Sequence, residues 1–204
     1  MASEASINEK TIGNASPSFF SLLFSPGEYF NRMVKKVSVF QCIVAIILAT
    51  VFDTLSLLVM KTPEISVSIF VLTAGFVVNI AVIIMTLFFV AVFVHFAASK
   101  HGSDSSSGWK LFSLYLVSCF PFVFTLPVSF LSKSIGNAGW LLYFLTNSIL
   151  YLWVFILMVT ATKEVYKVSV PRALFSVLFP GFFVWAWLMM LPWYFLTSLM
   201  IIFS

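Results

Sequence analysis

Five long apolar segments, separated by short polar breaks, dictate what this chain can be. They lie at about Val39–Met60, Val71–Ala98, Leu111–Leu131, Trp140–Thr162 and Gly181–Phe203. Crossing a bilayer takes roughly 20 apolar residues at about 1.5 Å rise each, and every segment has that length. The segments are continuously apolar rather than alternating, which excludes a β-barrel. Helices remain, because in lipid every backbone N–H and C=O must find its partner within the segment. The chain is 61% hydrophobic and only 9% charged, where a soluble domain would carry roughly 25% charged residues. The expected fold is an all-α, five-transmembrane-helix bundle with an N-terminal amphipathic interfacial helix. One membrane domain spans residues 25–204, behind a polar tail and short apolar tract at residues 1–24. So few polar residues leave no room for a soluble catalytic domain.

The charges give the bundle a direction. Lys10, Arg32, Lys35 and Lys36 precede the first span, Lys100 and Lys110 lie between the second and third, and Lys163, Lys167 and Arg172 lie between the fourth and fifth. With five spans all of these fall on one side, and only Lys61 and Lys133 fall on the other. By the positive-inside rule the N-terminus is then cytoplasmic and the C-terminus outside. The net charge of +4 is therefore a topology signal, reinforced by anionic headgroups, and not a sign of nucleic-acid binding. The start, Met1 to Lys10, has no apolar core, so no cleaved signal peptide is expected. Cys42 and Cys119 both lie inside spans and read as small buried residues, not as a disulfide or metal pair.

Residues 1–16 are polar and expected to be disordered. Ser25-Pro-Gly-Glu28 reads as a capping box with proline at the first helical position. The helix that follows sets Tyr29, Phe30, Met33, Val34 and Val37 on one face, and Asn31, Arg32, Lys35 and Lys36 on the other. That pattern suits a helix lying on the cytoplasmic leaflet, or a cytosolic extension of the first span. Thr62-Pro-Glu64 restarts a helix. From Glu64 to Ser99 it would be about 54 Å long, so it must tilt or project beyond the membrane. The tract from His101 to Gly108 is a serine-rich loop without metal-ligand spacing. Pro121 and Pro127 should kink the third span. Gly136-Asn-Ala-Gly139 reads as a tight turn. A short helix from Arg172 to Phe179 should precede the last span, which is expected to kink near Pro192.

Asp53 is the one acidic residue within a span, so it should face other helices or water. It sits about 21 Å from the cytosolic start of its helix. Asn147, about 10 Å in from the opposite side, lies at similar depth. Thr54, Thr125, Thr197 and Ser198 fall near the same level, and Asn79 nearer the middle. A polar layer of Asp53, Asn79, Thr125 and Asn147 is expected. It serves either as interhelical hydrogen bonding or as a proton or cation path with Asp53 titrating. His95 is expected to reach toward headgroups. Trp109, Trp140 and Trp193 fit an aromatic belt, and Trp153, Trp185 and Trp187 lie deeper. No Walker loop, HExxH, CxxC or Ser/His/Asp set appears, so no catalytic residue, cofactor or metal is expected.

Three stretches together resemble the Yip1 family in its prokaryotic branch. They are Phe24-Ser-Pro-Gly-Glu-Tyr-Phe-Asn-Arg32, Gly108-Trp-Lys-Leu-Phe-Ser-Leu-Tyr-Leu-Val-Ser-Cys-Phe-Pro121, and Thr162-Lys-Glu-Val-Tyr-Lys-Val-Ser-Val-Pro-Arg-Ala-Leu174. The resemblance runs from Phe24 to the end and implies five spans with a cytosolic N-terminus. Eukaryotic members carry an Asp-Leu-Tyr-Gly-Pro tract before the first span, and nothing here matches it. Their association with trafficking, small prenylated GTPases and membrane shaping is therefore not carried over. The resemblance implies no catalytic residue.

The expected function is that of a non-enzymatic scaffold or adaptor in membrane organisation or trafficking-like processes, multi-pass in the cytoplasmic membrane. It would contact anionic headgroups through Arg32, Lys35, Lys36, Lys163, Lys167 and Arg172, and associate with itself or a membrane-protein partner. The alternative is a small permease or proton-coupled transporter using Asp53. With five spans and no visible inverted repeat, such a path would need a second copy.

Overall fold

A computed structural model describes residues 18–60, 69–99 and 107–180. Among them the elements are all helical. They are α1 (Phe19–Phe24), α2 (Pro26–Lys35), α3 (Val39–Met60), α4 (Ile69–Ser99), α5 (Gly108–Ser118), α6 (Thr125–Ser134), α7 (Gly139–Tyr166) and α8 (Val170–Pro180). Short 3-10 turns at Phe120–Phe124 and Gly136–Ala138 flank α6. Four helical stretches are long and apolar enough to cross a membrane: Val39–Met60, Gly75–Ser99, Gly108–Ser134 and Gly139–Tyr166. The expected fifth span at 181–203, with Pro192, Thr197, Ser198 and three of the tryptophans, lies outside the described residues. So do the tail at 1–16, the Thr62-Pro-Glu64 restart and most of the serine-rich loop.

The third span is the centre of the bundle. In the stretch from Gly108 to Ser134, 56% of the apolar window is buried, against 22–33% in the other three. Along α5, Leu111, Phe112, Ser113, Leu114, Tyr115, Val117 and Ser118 are all buried, in contact with α2, α3, α4 and α7. α3 meets α5 and α6, and one of its faces is buried: Cys42, Ala45, Ile46, Ala49 and Thr50 recur at three- and four-residue spacing, and Ser56 lies two turns beyond Ala49. Small side chains on such a stripe let two backbones approach closely, which is how helices associate in lipid.

The break between α5 and α6 follows from Pro121. Proline has no N–H, and its ring clashes with the carbonyl four residues back. The helix accordingly ends at Ser118 and the chain tightens into a 3-10 turn through Phe124. Pro127 adds no second kink. It is the third residue of α6, where backbone N–H groups have no partner within the helix in any case. Ser25 also departs from expectation. It precedes α2, with Pro26 at the first helical position, but its side chain makes no cap. The reciprocal half of a capping box would need its N–H, which is already donated to the Ser21 carbonyl at 2.8 Å as α1 ends.

The turn from α6 to α7 rests on two glycines for different reasons. Gly136 has φ +74°, a conformation that a Cβ penalises. Gly139 has an ordinary φ, but a Cβ there would fall inside the van der Waals shell of the Ser132 carbonyl. Gly75, on α4, has nothing near its missing Cβ. In detergent melts, Gly139→Ala should be the most damaging of the three substitutions, at about 3 kcal/mol or more because backbone must move. Gly136→Ala should cost about 1–2 kcal/mol. Gly75→Ala should be neutral or stabilising by up to about 1 kcal/mol. Equal melting temperatures for the alanine variants at 75 and 139 would contradict the close approach.

Candidate functional site: polar links along α7

Most hydroxyls in the spans are satisfied by their own helix. Thr50 donates to the Ile46 carbonyl, Ser113 to Trp109, Ser118 to Leu114, Thr146 to Leu142 and Thr160 to Ile156, all at 2.7–2.9 Å. A hydroxyl used in this way has spent its one proton and can offer a neighbour only its lone pairs. Links between helices come from longer side chains, and three tyrosine links all involve α7. Tyr143 Oη lies 2.9 Å from Ser56 Oγ on α3. Tyr115 Oη on α5 lies 2.8 Å from Thr162 Oγ1. Tyr166 Oη lies 2.6 Å from His95 Nδ1 on α4.

The direction of two links is fixed by counting protons. Ser56 Oγ donates to the Asp53 carbonyl at 2.7 Å, and Thr162 Oγ1 donates to Met158 at 2.8 Å. Each hydroxyl has one hydrogen, so Tyr143 donates to Ser56 and Tyr115 donates to Thr162. α7 is thus tied once to each of α3, α5 and α4. His95 spends Nδ1 inside the protein, where the sequence suggested an imidazole turned to headgroups.

Of the expected polar layer, the structure brings Asp53 and Asn79 together. The Asn79 side chain hydrogen-bonds the Asp53 carboxylate, and its Nδ2 also lies 3.4 Å from Thr54 Oγ1. Asn147 and Thr125 remain at home: Asn147 Nδ2 donates to the Tyr143 carbonyl and Thr125 Oγ1 to the Phe122 carbonyl. Two tyrosines absent from the expected layer belong near it. Tyr151 is in electrostatic reach of both Asp53 and Tyr143, and its ring packs edge-on against Phe122 with centroids 4.9 Å apart. Tyr143 had a visible signal, since it lies one helical turn before Asn147 on the same face of α7. Among the described residues, no three His, Cys, Asp or Glu side chains stand close enough to hold a metal ion.

The basic residues form a second group. Tyr29, Phe30 and Met33 of α2 are fully buried as the helix packs on α5 and α7. Tyr29 Oη donates to Gln41 Oε1 at 3.4 Å, and burial, with Cys42 nearby, pushes its phenol above its ordinary range. Asn31, Arg32, Lys35 and Lys36 are left exposed. At the end of α7, Glu164 Oε2 accepts from Lys167 at 2.8 Å, and Lys163 lies 3.7 Å from its other oxygen. Lys167 has a left-handed backbone, φ 54°, which ends α7. Arg172 is exposed on α8.

A double-mutant cycle between Ser56→Ala and Tyr143→Phe should give a coupling of about 0.5–2 kcal/mol in detergent melts, the range of interhelical hydrogen bonds in membranes. Tyr143→Phe with Thr146→Ala should be additive, since Thr146 is satisfied within α7. Additivity in both pairs would contradict the link.

The family model for the Yip1 domain matches residues 20–200. No curated protein and no solved structure shows significant similarity to the chain. The chain therefore belongs to the Yip1 domain family and, with its apolar helices, is a multi-pass membrane protein.

Proposed function

We propose that this Yip1 domain protein is a non-enzymatic scaffold or adaptor of the cytoplasmic membrane, acting in membrane organisation or trafficking-like processes. Five spans would place the N-terminus in the cytoplasm and the C-terminus outside, with 181–203 as the fifth. The observation that carries the reading is the seating of α2. Three fully buried side chains hold that helix on the bundle, and its polar face is left outward with Arg32, Lys35 and Lys36. The backbone beneath a basic face fixed in this way is already ordered before anything binds. Placed at the cytoplasmic interface beside Lys163, Lys167 and Arg172, it would attract anionic headgroups by about 1 kcal/mol per cation. The same face would present a partner with a rigid surface. The polar groups near Asp53 support cohesion: Asn79 and Thr54 tie α4 to α3, a structural use of the layer.

Two measurements test this. Single cysteines at Ser16→Cys and Ser204→Cys should label with an impermeant maleimide from opposite faces of oriented membranes, because an odd span count separates the ends. Cys42 and Cys119 are buried and should stay silent. Labelling from one face would overturn the five-span topology. Gentle purification from native membranes should retain a species at fixed stoichiometry, lost in the triple variant Arg32→Gln, Lys35→Gln, Lys36→Gln while its melt is preserved. A bare protein, or retention unaffected by the triple variant, would count against the adaptor.

A further inference from the structure

α4 and α7 are covered toward one end and bare toward the other. Near the His95–Tyr166 link, α4 buries Val90, Ala91, Val94 and Ala98. In its other half, 73–86, no described side chain is buried. α7 repeats the pattern: Val154, Leu157 and Met158 are buried, and nothing from 144 to 153 is. The two bare stretches are neighbours. Asn79 from α4 hydrogen-bonds Asp53, and Tyr151 from α7 stands in electrostatic reach of the same carboxyl. We propose that 181–203, as the last span, lies against both stretches, and that Thr197 or Ser198 accepts a hydrogen bond from the Tyr151 hydroxyl. The placement rests on the five-span reading above.

Three observations carry this. The first is an unmet demand. Tyr151 is 60% exposed, and its hydroxyl has no hydrogen-bond partner among the described residues. The Asp53 side chain beside it is only half-buried. Neither group can be left to lipid. The second is reach. α8 is a helix of about 16 Å, seated through buried Ala173 and Val177. Its exposed Arg172 keeps its start with the charged end of α7, so 181–203 sets out from the His95–Tyr166 side. Helical rise then carries Thr197 and Ser198 about 24–26 Å along, against about 21 Å for Asp53 in α3. The third is chemistry. Tyr143 donates to Ser56 and Tyr115 to Thr162, in each case to a hydroxyl whose own proton is spent within its helix. Thr197 and Ser198 are the serine and threonine of 181–203, so Tyr151 would make the same kind of link. A tethered segment also meets this surface at an effective concentration of about millimolar, ahead of a separate partner.

The test uses the full-length protein in phosphatidylcholine vesicles. A photoreactive benzoylphenylalanine is placed in turn at each position from Trp193 to Met200. Crosslinks from one face of that scan should map to 73–86 and 144–153 of the same chain. In the unaltered protein, a diazirine-bearing lipid should label Tyr151 several-fold less than Trp153, which lies at the same depth on the opposite side of α7. Exposure alone gives the reverse order, since Trp153 is 41% exposed. Tyr151→Phe should give a melting shift that fails to add with one of Thr197→Val and Ser198→Ala; additivity in both pairs would overturn the acceptor. Crosslinks elsewhere on the chain or to a second copy, or stronger lipid labelling of Tyr151 than of Trp153, would overturn the placement. If Ser204→Cys still labels from the outer face, the five-span reading survives that result. Labelling of Ser204→Cys from the cytoplasmic face would overturn both. The lipid readout comes from the unaltered protein, so it stands even where a variant fails to fold.

Discussion

Within a bilayer there is no water to take a hydroxyl proton or fill a carbonyl lone pair, so every polar atom must be matched by protein. The rest of this structure depends on how that constraint is met. Most short hydroxyls donate back onto their own helices and reach a neighbour only as acceptors, as Ser56 and Thr162 do, while Ser132 Oγ is buried without a partner among the described residues. Contact between helices then rests on close packing of small side chains, on the Cys42 thiol donating to the Ser113 carbonyl, and on the few polar groups long enough to reach a neighbour. Tyrosine is suited to the last of these, because a ring buries well and carries its hydroxyl about as far as a neighbouring helix. Tyr143, Tyr115 and Tyr166 make α7 one partner in a link to each of three other helices.

The same constraint reverses the usual relation between apolarity and burial. The most apolar of the four spanning stretches, Gly75–Ser99, is the least buried, and the least apolar, Gly108–Ser134, is the most buried. Lipid is as apolar as leucine, so a leucine gains little by leaving it. A serine or tyrosine gains much by finding a protein partner. The centre of such a bundle collects the residues that lipid treats worst, and α5, with Ser113, Tyr115 and Ser118 buried among its leucines, is what results.

How much of this was legible in the sequence depends on what kind of information each feature needs. Span positions follow from length and composition, which are local, and all four described spans fall where the apolar segments lie. The break at Pro121 is local too. Pro127 was misleading because its effect depends on where the preceding break falls. Ser25 was misleading because its N–H had already been used by α1. The polar layer was half legible. Depth along a helix can be reckoned from the rise per residue, which brought Asp53 and Asn79 to neighbouring levels, but rotation about each helix axis cannot. Thr125 and Asn147 share the depth without sharing the contact, and the partners of the tyrosines were unreadable for the same reason. Buried Tyr29 and Phe30 on a short helix were visible as an apolar face. What that face would meet was not.

The seating of α2 also sets an order in time. Residues 26–35 are made long before α7, on which they rest and which ends at Tyr166. α2 also touches α1 and α5, but the largest part of its cover, α7, exists only after more than a hundred further residues have left the ribosome and entered the membrane. During that interval the nascent chain carries an aromatic face that is only partly sheltered. Only a chain that has assembled its helices through α7 can put that face away in full, so the burial of α2 doubles as a record that synthesis and insertion have reached that point.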